Sequence, residues 1–219
     1  MANGYIELDD LKSALQLQDD DLDVRLDRVI ESASRAIDKV CRRKFFRETL
    51  TVYLGAERRH RVDPFSERRV AGLHSLAVGD LISITTLKTD DDGDRTFETT
   101  WDAARDYYLA PVNAPNVPKP YSHIEIDAAN GRYSFPAGLK GVEIIGTWGY
   151  AFDYGSGEIT APPDVAEACL LLATRYLKRK DAPLGIIETS GLDRTEEIRV
   201  ASDPDVKALL KPYRRLHLP

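Results

Sequence analysis

The sequence predicts an α+β fold: a helical bundle of three to four helices with an inserted small antiparallel β-domain and an extended C-terminal segment. Apolar residues recur every three or four positions near both ends of the chain, which is the spacing of amphipathic helices. Between these regions, short β-prone runs alternate with turn residues. We therefore assign residues 1–48 and 158–182 to a helical core, residues 49–157 to an inserted β-rich domain, and residues 183–219 to an extended segment with a short C-terminal helix.

Two helices are predicted before the β-rich region. The first covers residues 6–17 and is capped by Asp9 or Asp10. The second is long, from Leu22 to about Arg43, with acidic residues before its start and basic residues at its end, as the helix dipole favours. The residues predicted to face inward are Leu11, Ala14 and Leu15 in the first helix and Leu22, Leu26, Val29, Ile30, Ala33, Ile37, Val40 and Cys41 in the second.

The most clearly bounded element is a helix over residues 163–180. Pro162 and Pro163 suit its first turn, and three basic residues occupy its last turn. Its apolar residues cover most of the circumference instead of one stripe, so we expect it to pack on several sides and to be the core helix. A short amphipathic helix follows within residues 203–215. Because so short a helix is marginal alone in water, either the neighbouring core or a separate protein must cover its apolar face.

The region between the helices is predicted to form antiparallel strands. The clearest pair is a hairpin of residues 82–89 and 95–99 around the acidic tip 90–94. A proline-rich stretch over residues 110–121 forbids a central strand and favours an extended excursion. The other predicted strands cover residues 49–54, 123–127, 132–135 and 142–150.

The acidic hairpin tip does not fit the EF-hand template for calcium. Counted from Asp90, glycine falls at position four and Trp101 at position twelve, whereas the template needs glycine at six and glutamate at twelve. The histidines are scattered without metal-ligand spacing, and no glycine-rich phosphate loop is present. We therefore predict no metal, no cofactor and no enzymatic activity. A hydrolase stays an alternative that would need convergent, pKa-shifted carboxylates in a pocket.

Composition limits the class of partner. The chain of 219 residues carries a formal net charge of −6, which argues against a protein that wraps nucleic acid, because cationic side chains supply most of such affinity. No apolar run is long enough to cross a bilayer, and the N-terminus lacks a signal-peptide stretch, so we expect a cytoplasmic protein with no membrane contact. Cys41 and Cys169 lie on apolar helix faces and are expected to be buried and reduced.

The order of these elements resembles a known family of structural proteins. The resemblance is carried by the segments YIELDDLKSALQL, LDRVIESASRAIDKVCRRKF, DYYLAPVNAPN, VEIIGTWGYA, PPDVAEACLLLATRYLKRKDAPLG and DPDVKALLKPYRR. Together they resemble the head-tail connector, or adaptor, proteins of long-tailed bacteriophages and gene transfer agents. The large β-insertion, roughly Leu50 to Tyr150, departs from the shortest members of that family.

The resemblance implies a structural role in the neck of a virion, assembled in the host cytoplasm. Such subunits form a homo-oligomeric ring, usually dodecameric, under the portal protein, and the ring extends the DNA channel toward a downstream stopper or tail-completion protein. Double-stranded DNA passes transiently, and a net acidic conduit would let it slide. The helices would form the ring body. The C-terminal segment would dock on the portal through Val206, Leu209, Leu210, Tyr213, Arg214 and Arg215, unless Leu209 and Leu210 only pack on their own subunit.

A second function stays open, a nucleic-acid-binding module that uses the basic region 42–69. Arg42, Arg43 and Lys44 end the second predicted helix, and more basic residues follow between Arg58 and Arg69. A basic run of this kind is more commonly a helix C-terminus than a binding patch. A steep salt dependence of DNA affinity would favour the binding module.

Overall fold

The computed structural model describes residues 3–56, 61–62, 69–70, 74–127, 129, 134–136, 138–178 and 203–215. Four α-helices and an antiparallel sheet lie within these residues, which confirms the mixed α+β class. The chain divides into a helical unit, Met1–Phe46 with Ala151–Pro219, and a β unit, Arg47–Tyr150. The domain boundaries assigned from the sequence stay predictions. Residues 183–202 and 216–219 of the predicted C-terminal segment, and residues 179–182 of the predicted core, lie outside the described residues. None of the described helices is both long and apolar enough to span a membrane.

The helical unit contains all four α-helices. They are α1 (Leu8–Leu15), α2 (Asp23–Cys41), α3 (Pro163–Lys178) and α4 (Pro204–Leu210), and a 3-10 turn, Lys211–Tyr213, follows α4. The strands, in chain order, are β1 (Glu48–Ala56), β2 (Arg61–Val62), β3 (Arg69–Val70), β4 (Ser75–Thr89), β5 (Thr99–Thr100), β6 (Tyr107–Ala110), β7 (Tyr121–Ile126), β8 (Gly138–Trp148), β9 (Phe152–Asp153) and β10 (Ile159–Thr160). β9 and β10 pair with each other and belong to the helical unit.

Helix α1 begins differently from its prediction. Its N-cap is Glu7, whose carboxylate accepts the N–H of Asp10, while the Asp10 carboxylate accepts the Glu7 N–H at 3.1 Å. This reciprocal capping box places Asp10 inside the first turn, so the prediction of Asp9 or Asp10 as the cap was wrong. Leu11 is fully buried, but Ala14 is exposed and does not face inward as predicted.

Helix α2 presents the predicted amphipathic pattern with a changed start. Its buried residues follow helical spacing and are Leu26, Ile30, Ala33, Ser34, Ile37 and Cys41. Leu22 is the N-cap residue and is 39% exposed, so it does not belong to the buried face as predicted. Val29 and Val40 are half-buried. The helix ends at Arg42, whose φ of 55° breaks the helical path.

The fully buried residues of helix α3 lie on one stripe. Its buried residues are Val165, Ala168, Cys169, Leu172 and Ala173, which recur at three- and four-residue steps. Leu170, Leu171, Tyr176 and Leu177 are half-buried. The helix contacts α1, α2 and α4, which confirms that it packs on several sides. The stripe faces α2, where Ser34 Oγ lies 3.5 Å from Cys169 Sγ. Both cysteines are free and buried, as predicted.

The sheet of the β unit is antiparallel throughout, in the order β1-β8-β4-β7-β6, with β5 paired to β4. β8 lies between β1 and β4, and its Gly146 is opposite Leu50 on one side and Ile84 on the other. A Cβ on Gly146 would lie 2.3 Å from the Ser83 carbonyl oxygen, so the close approach of these strands requires glycine. The core is formed by Ala56, Leu76, Val78, Leu81, Leu87, Trp101, Tyr107, Ile124, Phe135, Val142 and Ile144.

The predicted strands are found with different lengths. Residues 82–89 form part of the longer β4, but β5 covers only Thr99–Thr100, so residues 95–98 are not strand as predicted. The proline-rich stretch contains a 3-10 turn, Ala114–Asn116. Residues 132 and 133, half of the predicted strand 132–135, lie outside the described residues, and residues 134 and 135 are not strand.

Candidate interaction surface of the helical unit

The structure divides the six predicted docking residues into two groups. Val206 and Leu210 are buried, with exposed fractions of 3% and 1%. Leu209 and Tyr213 are half-buried, and Arg214 and Arg215 are exposed. The buried pair lies on α4, which packs on α3 within the same unit. The apolar face of α4 is therefore covered mainly by its own chain, and the outward-facing chemistry of this segment is cationic.

Contacts at both ends hold α4 along α3. The Asp203 carboxylate caps the helix by accepting the N–H groups of Asp205 at 3.0 Å and Val206 at 3.2 Å, and it also forms an ion pair with Arg175 of α3. After α4, the Tyr213 hydroxyl donates to the Asp164 carboxylate at 3.2 Å, in the first turn of α3. The two helices therefore run antiparallel, with α4 tied at its start and just after its end.

The C-terminal segment also meets the end of α2. The Arg215 N–H donates to the Cys41 carbonyl at 3.0 Å, and the rings of Phe45 and Tyr213 pack edge to face with centroids 5.7 Å apart. Burial raises the pKa of the Cys41 thiol to about 11, while the nearby positive charges of Arg43 and Arg214 act in the opposite direction. The structure thus brings together two basic stretches that are far apart in the sequence: Lys39, Arg42, Arg43 and Lys44, here called the basic end of α2, and Arg214 with Arg215, here called the C-terminal basic pair.

A polar network supports the backbone next to the basic end. The Tyr5 hydroxyl donates to the Asp38 carboxylate and accepts the Phe45 N–H at 3.0 Å. Burial raises the pKa of Asp38 and of Tyr5. The Lys44 ammonium lies 5.4 Å from the centroid of the half-buried Phe46 ring, so this cationic surface also contains an aromatic face.

The opposite end of α2 is acidic and partly apolar. Asp19, Asp20 and Asp21 are exposed, and beside them Leu22 is 39% and Val24 is 69% exposed. These five residues are called the acidic end of α2. Lys12 of α1 contacts Asp20 at 2.6 Å, and this hydrogen bond lowers the pKa of that carboxyl. Since α2 has 19 residues, its two ends are separated by about 28 Å at 1.5 Å per residue.

Four carboxylate side chains come together at the acidic tip of the hairpin. Ligand oxygens of Asp90, Asp92, Asp94 and Glu98 lie within 4.8 Å of one another. Within the part of the chain that the structure describes, this is the one group of three or more acidic, histidine or cysteine side chains that could hold a cation. Asp90 already accepts the N–H groups of Gly93 at 2.7 Å and Arg95 at 2.9 Å, so the tip is also ordered by its own hydrogen bonds. The Asp-x-Asp-x-Asp spacing of residues 90, 92 and 94 indicates this cluster in the sequence. The EF-hand template, which requires glycine at position six and glutamate at position twelve, does not detect it.

The remaining sequence-predicted basic residues cannot be added to this surface. Residues 57–60 and 63–68 of the 42–69 region lie outside the described residues, and of residues 61–62 and 69–70 only the paired backbone of β2 and β3 is described. The described cationic residues of that region, apart from β2 and β3, are Arg42, Arg43 and Lys44 of the basic end of α2 and the exposed Arg47.

Comparison with known proteins gives a partial sequence match and a full-length structural match. Residues 5–66 match the family model of phage gp6-like head-tail connector proteins, which confirms the resemblance inferred from the sequence. No curated protein matches the chain.

Three solved structures of gene transfer agent (GTA) particles share the fold over nearly the whole chain. A chain in the neck of an empty GTA particle, computed with C6 symmetry, has a TM-score of 0.55 at 18% identity, covering 98% of this chain and 92% of that one. A chain of the native GTA virion has a TM-score of 0.54 at 17% identity with the same coverage, 98% and 92%. A chain in the neck of the native particle, computed with C12 symmetry, has a TM-score of 0.51 at 20% identity, covering 100% and 97%. At these identities the likeness establishes the fold.

Proposed function

We propose that this protein is a structural head-tail connector, or adaptor, subunit that forms a ring under the portal, extends the DNA channel and joins the capsid to the tail. The observation that carries the proposal is the agreement of two comparisons. The head-tail connector family model matches the first two helices, and the fold of the entire chain matches chains from GTA necks. The function is mechanical and electrostatic, with no catalytic step and no cofactor.

The ring in this proposal has twelve copies in the virion neck, in line with a related neck computed with C12 symmetry. The helices form the body of the ring as a bundle, and the β unit is an insertion between its second and third helices. The portal lies on one side, and a stopper or tail-completion protein lies on the other. The net charge of −6 supports a conduit that DNA traverses without sticking, because phosphates are repelled by an acidic wall.

Portal docking is assigned to the C-terminal segment. Val206 and Leu210 hold α4 against α3, since both are buried within the chain. Leu209, Tyr213 and the C-terminal basic pair lie nearer the surface, and we infer that they contact the portal. Two adjacent arginines suit a carboxylate-rich partner, because guanidinium groups bind carboxylates in a bidentate manner.

A joining assay tests this function. Particles assembled without this protein should accumulate as separate heads and tails, and addition of the purified protein should restore joined particles in electron micrographs. Arg214→Glu with Arg215→Glu should abolish that rescue. The matched control, Arg28→Glu with Lys119→Glu, makes the same charge change at exposed positions and should rescue normally. Heads and tails that join equally well without the protein would contradict the proposal.

The same purified protein separates the connector from a nucleic-acid-binding module. Duplex DNA should bind weakly, with a small dependence of affinity on salt, because an acidic chain neutralises few phosphates. The measurement is fluorescence anisotropy of labelled duplex DNA over a salt series. A steep salt dependence with tight binding at low salt would support the module instead.

A further inference from the structure

The two ends of α2 carry complementary surfaces. The acidic end combines three exposed aspartates with the exposed Leu22 and Val24. The basic end combines the exposed Lys39 and Arg42 with the ring of Phe46 beneath Lys44. The acidic end therefore offers negative charge beside exposed aliphatic side chains. The basic end offers positive charge beside the half-buried Phe46, whose ring centroid also lies 5.1 Å from the Arg35 guanidinium. Opposite charges of this kind are complementary across a protein–protein interface.

The two surfaces cannot meet within one chain. They lie at opposite ends of a straight element about 28 Å long, and both belong to the helical unit. A surface of one sign at one end and of the opposite sign at the other end fits a head-to-tail contact between copies. A contact of this kind uses two different patches, once each per subunit, and closes into a ring when the rotation between copies permits.

We propose that the acidic end of α2 in one copy of this chain binds the basic end of α2 in the next copy, as the lateral contact of the ring. The partner is thus a second copy of the same chain. This inference rests on the proposed ring function and names the surfaces that build the ring. The C-terminal basic pair lies beside the basic end and is assigned to the portal, so the lateral contact and the portal contact use neighbouring residues.

Simple dipole complementarity does not account for both surfaces. Acidic residues before a helix and basic residues at its end stabilise the helix by a few tenths of a kcal/mol each. That effect needs no exposed apolar side chain, yet Val24 at the acidic end is 69% exposed. An exposed apolar residue next to three carboxylates also disfavours DNA as the partner, since phosphate would be repelled. A basic, partly apolar protein surface satisfies both features.

Thiol cross-linking tests the geometry directly. The native cysteines are buried, so an introduced surface cysteine is the reactive thiol. Asp21→Cys combined with Lys39→Cys, treated with a bismaleimide, should give a ladder of covalent multimers on a denaturing gel. Either substitution alone should give monomer, because identical positions do not meet in a head-to-tail contact. The measurement is made on purified protein at high concentration and on isolated particles. Dimers from a single-cysteine variant, or no ladder from the double variant in either sample, would overturn the proposal.

Charge reversal tests the same contact without cysteines. Asp19→Lys with Asp21→Lys should reduce the fraction of multimers at least about tenfold, and Lys39→Glu with Arg42→Glu should do the same. The combination of all four changes restores the net charge and the complementarity, and it should restore assembly. Arg28→Glu with Lys119→Glu is the matched control and should keep the multimers, because both residues are exposed and lie outside the two surfaces. Reversals that leave assembly unchanged, or a combined variant that fails to assemble while circular dichroism shows it folded, count against the contact.

These outcomes separate the inference from the function on which it rests. If the lateral contact is wrong but the connector function is right, the reversed variants still join heads to tails. If the connector function is wrong, the wild-type protein fails the joining assay whatever the cross-linking pattern is. Both conclusions can therefore be drawn from the same set of purified proteins.

Discussion

The helical unit and the β unit build their interiors from different kinds of contact. In the helical unit, residues far apart in the sequence meet: Ser34 lies against Cys169, and Tyr5 donates its backbone N–H to Ser34. In the β unit, strands that are adjacent in the sheet supply most of the core. Outside the strands, Trp101 stacks on Phe135 with ring centroids 4.8 Å apart. The helical unit therefore depends on closure between the two ends of the chain, whereas the β unit depends on strand register.

The two units also use their charges differently. The β unit buries carboxylates in its turns: Asp106 is 1% exposed and accepts the Asp102 N–H at 2.8 Å. The helical unit buries Asp203 in the cap of α4, but it exposes three aspartates before α2 and basic residues at the end of α2 and after α4. Buried carboxylates order a loop, while exposed ones remain available for another molecule. The exposed charges of the helical unit are therefore the first candidates for contact with another protein.

The largest effect is expected from Leu172→Asp. Leu172 is 2% exposed on the buried stripe of α3, and an unpaired charge there should destabilise the helical unit by about 4 kcal/mol, enough to unfold it. Circular dichroism at 222 nm should show the loss. Leu171→Asp is the matched control, since Leu171 is half-buried, and it should cost clearly less. Both tryptophans lie in the β unit. Loss of their native fluorescence together with the loss of helix would show that the two units unfold as one, contrary to the difference described above.

A backbone substitution in the β unit comes next. Gly146→Ala places a Cβ 2.3 Å from the Ser83 carbonyl oxygen, so the strands must separate, at a cost of about 3 kcal/mol. Gly93→Ala is the control, because Gly93 has a φ of 86° and no atom within 4 Å of the added Cβ. Only local strain of about 1 kcal/mol is expected there. Urea unfolding followed by tryptophan fluorescence measures the loss of stability in both variants. Equal losses would mean that the close approach of β8 and β4 at Gly146 does not limit the stability of the β unit.

Removal of the α4 cap should have an intermediate effect. Asp203→Ala deletes two accepted N–H bonds and the ion pair with Arg175, and we expect a loss of about 2 kcal/mol. Asp203→Asn keeps an acceptor oxygen for the cap and should lose roughly half as much. Hydrogen exchange of the amides in α4 follows the change. Unchanged protection in Asp203→Ala would show that the buried Val206 and Leu210 hold α4 without the cap.

The smallest effect concerns alkaline pH. Burial raises the pKa of Cys41 and Cys169 from 9.0 to about 11. The folded state thus keeps these protons more firmly than the unfolded state. Their contribution to stability is complete below pH 9, and it is lost as the pH rises through the folded pKa.

The double variant Cys41→Ser with Cys169→Ser should reduce the alkaline loss of helical stability, by on the order of 1 kcal/mol for each thiol. Urea unfolding at 222 nm between pH 8 and about pH 11 measures it. The β unit contains no cysteine. An identical pH dependence in wild type and variant would assign the alkaline loss to the tyrosines, among them Tyr5, whose pKa burial also raises.

Local patterns in the sequence predicted the helices well and the contacts between them poorly. The period of Leu26, Ile30 and Ile37 identifies α2 because each buried residue follows from helical spacing alone. The pairing of β8 with both β1 and β4 could not be predicted, since register between distant strands depends on tertiary packing. The apolar run of α3 correctly predicted a helix that packs on several sides. Composition alone does not say which neighbour covers which residue, and Leu170 and Leu171 are only half-buried.

Local sequence patterns also could not predict which residues come together in the candidate surface. The sequence predicted Arg42, Arg43 and Lys44 as the end of a helix, and Arg214 and Arg215 as part of a docking segment, but it did not single out Lys39. That they meet follows from the bond between Arg215 and Cys41 and the ring contact between Phe45 and Tyr213, which join residues far apart in the chain. The portal-docking role of the six C-terminal residues stays a prediction, although two of them, Val206 and Leu210, are occupied by packing within the chain.

The attachment of α4 at both of its ends has a mechanical consequence. A pull on the chain beyond residue 215 reaches the backbone bond between Arg215 and Cys41 first, and then the contact between Tyr213 and Asp164. Tension is therefore transmitted into the ends of α2 and α3 before the packing of α4 is loaded. Because α4 lies along α3, that packing must yield in shear and not by peeling. The C-terminal segment is thus built as an anchor that spreads force over two long helices.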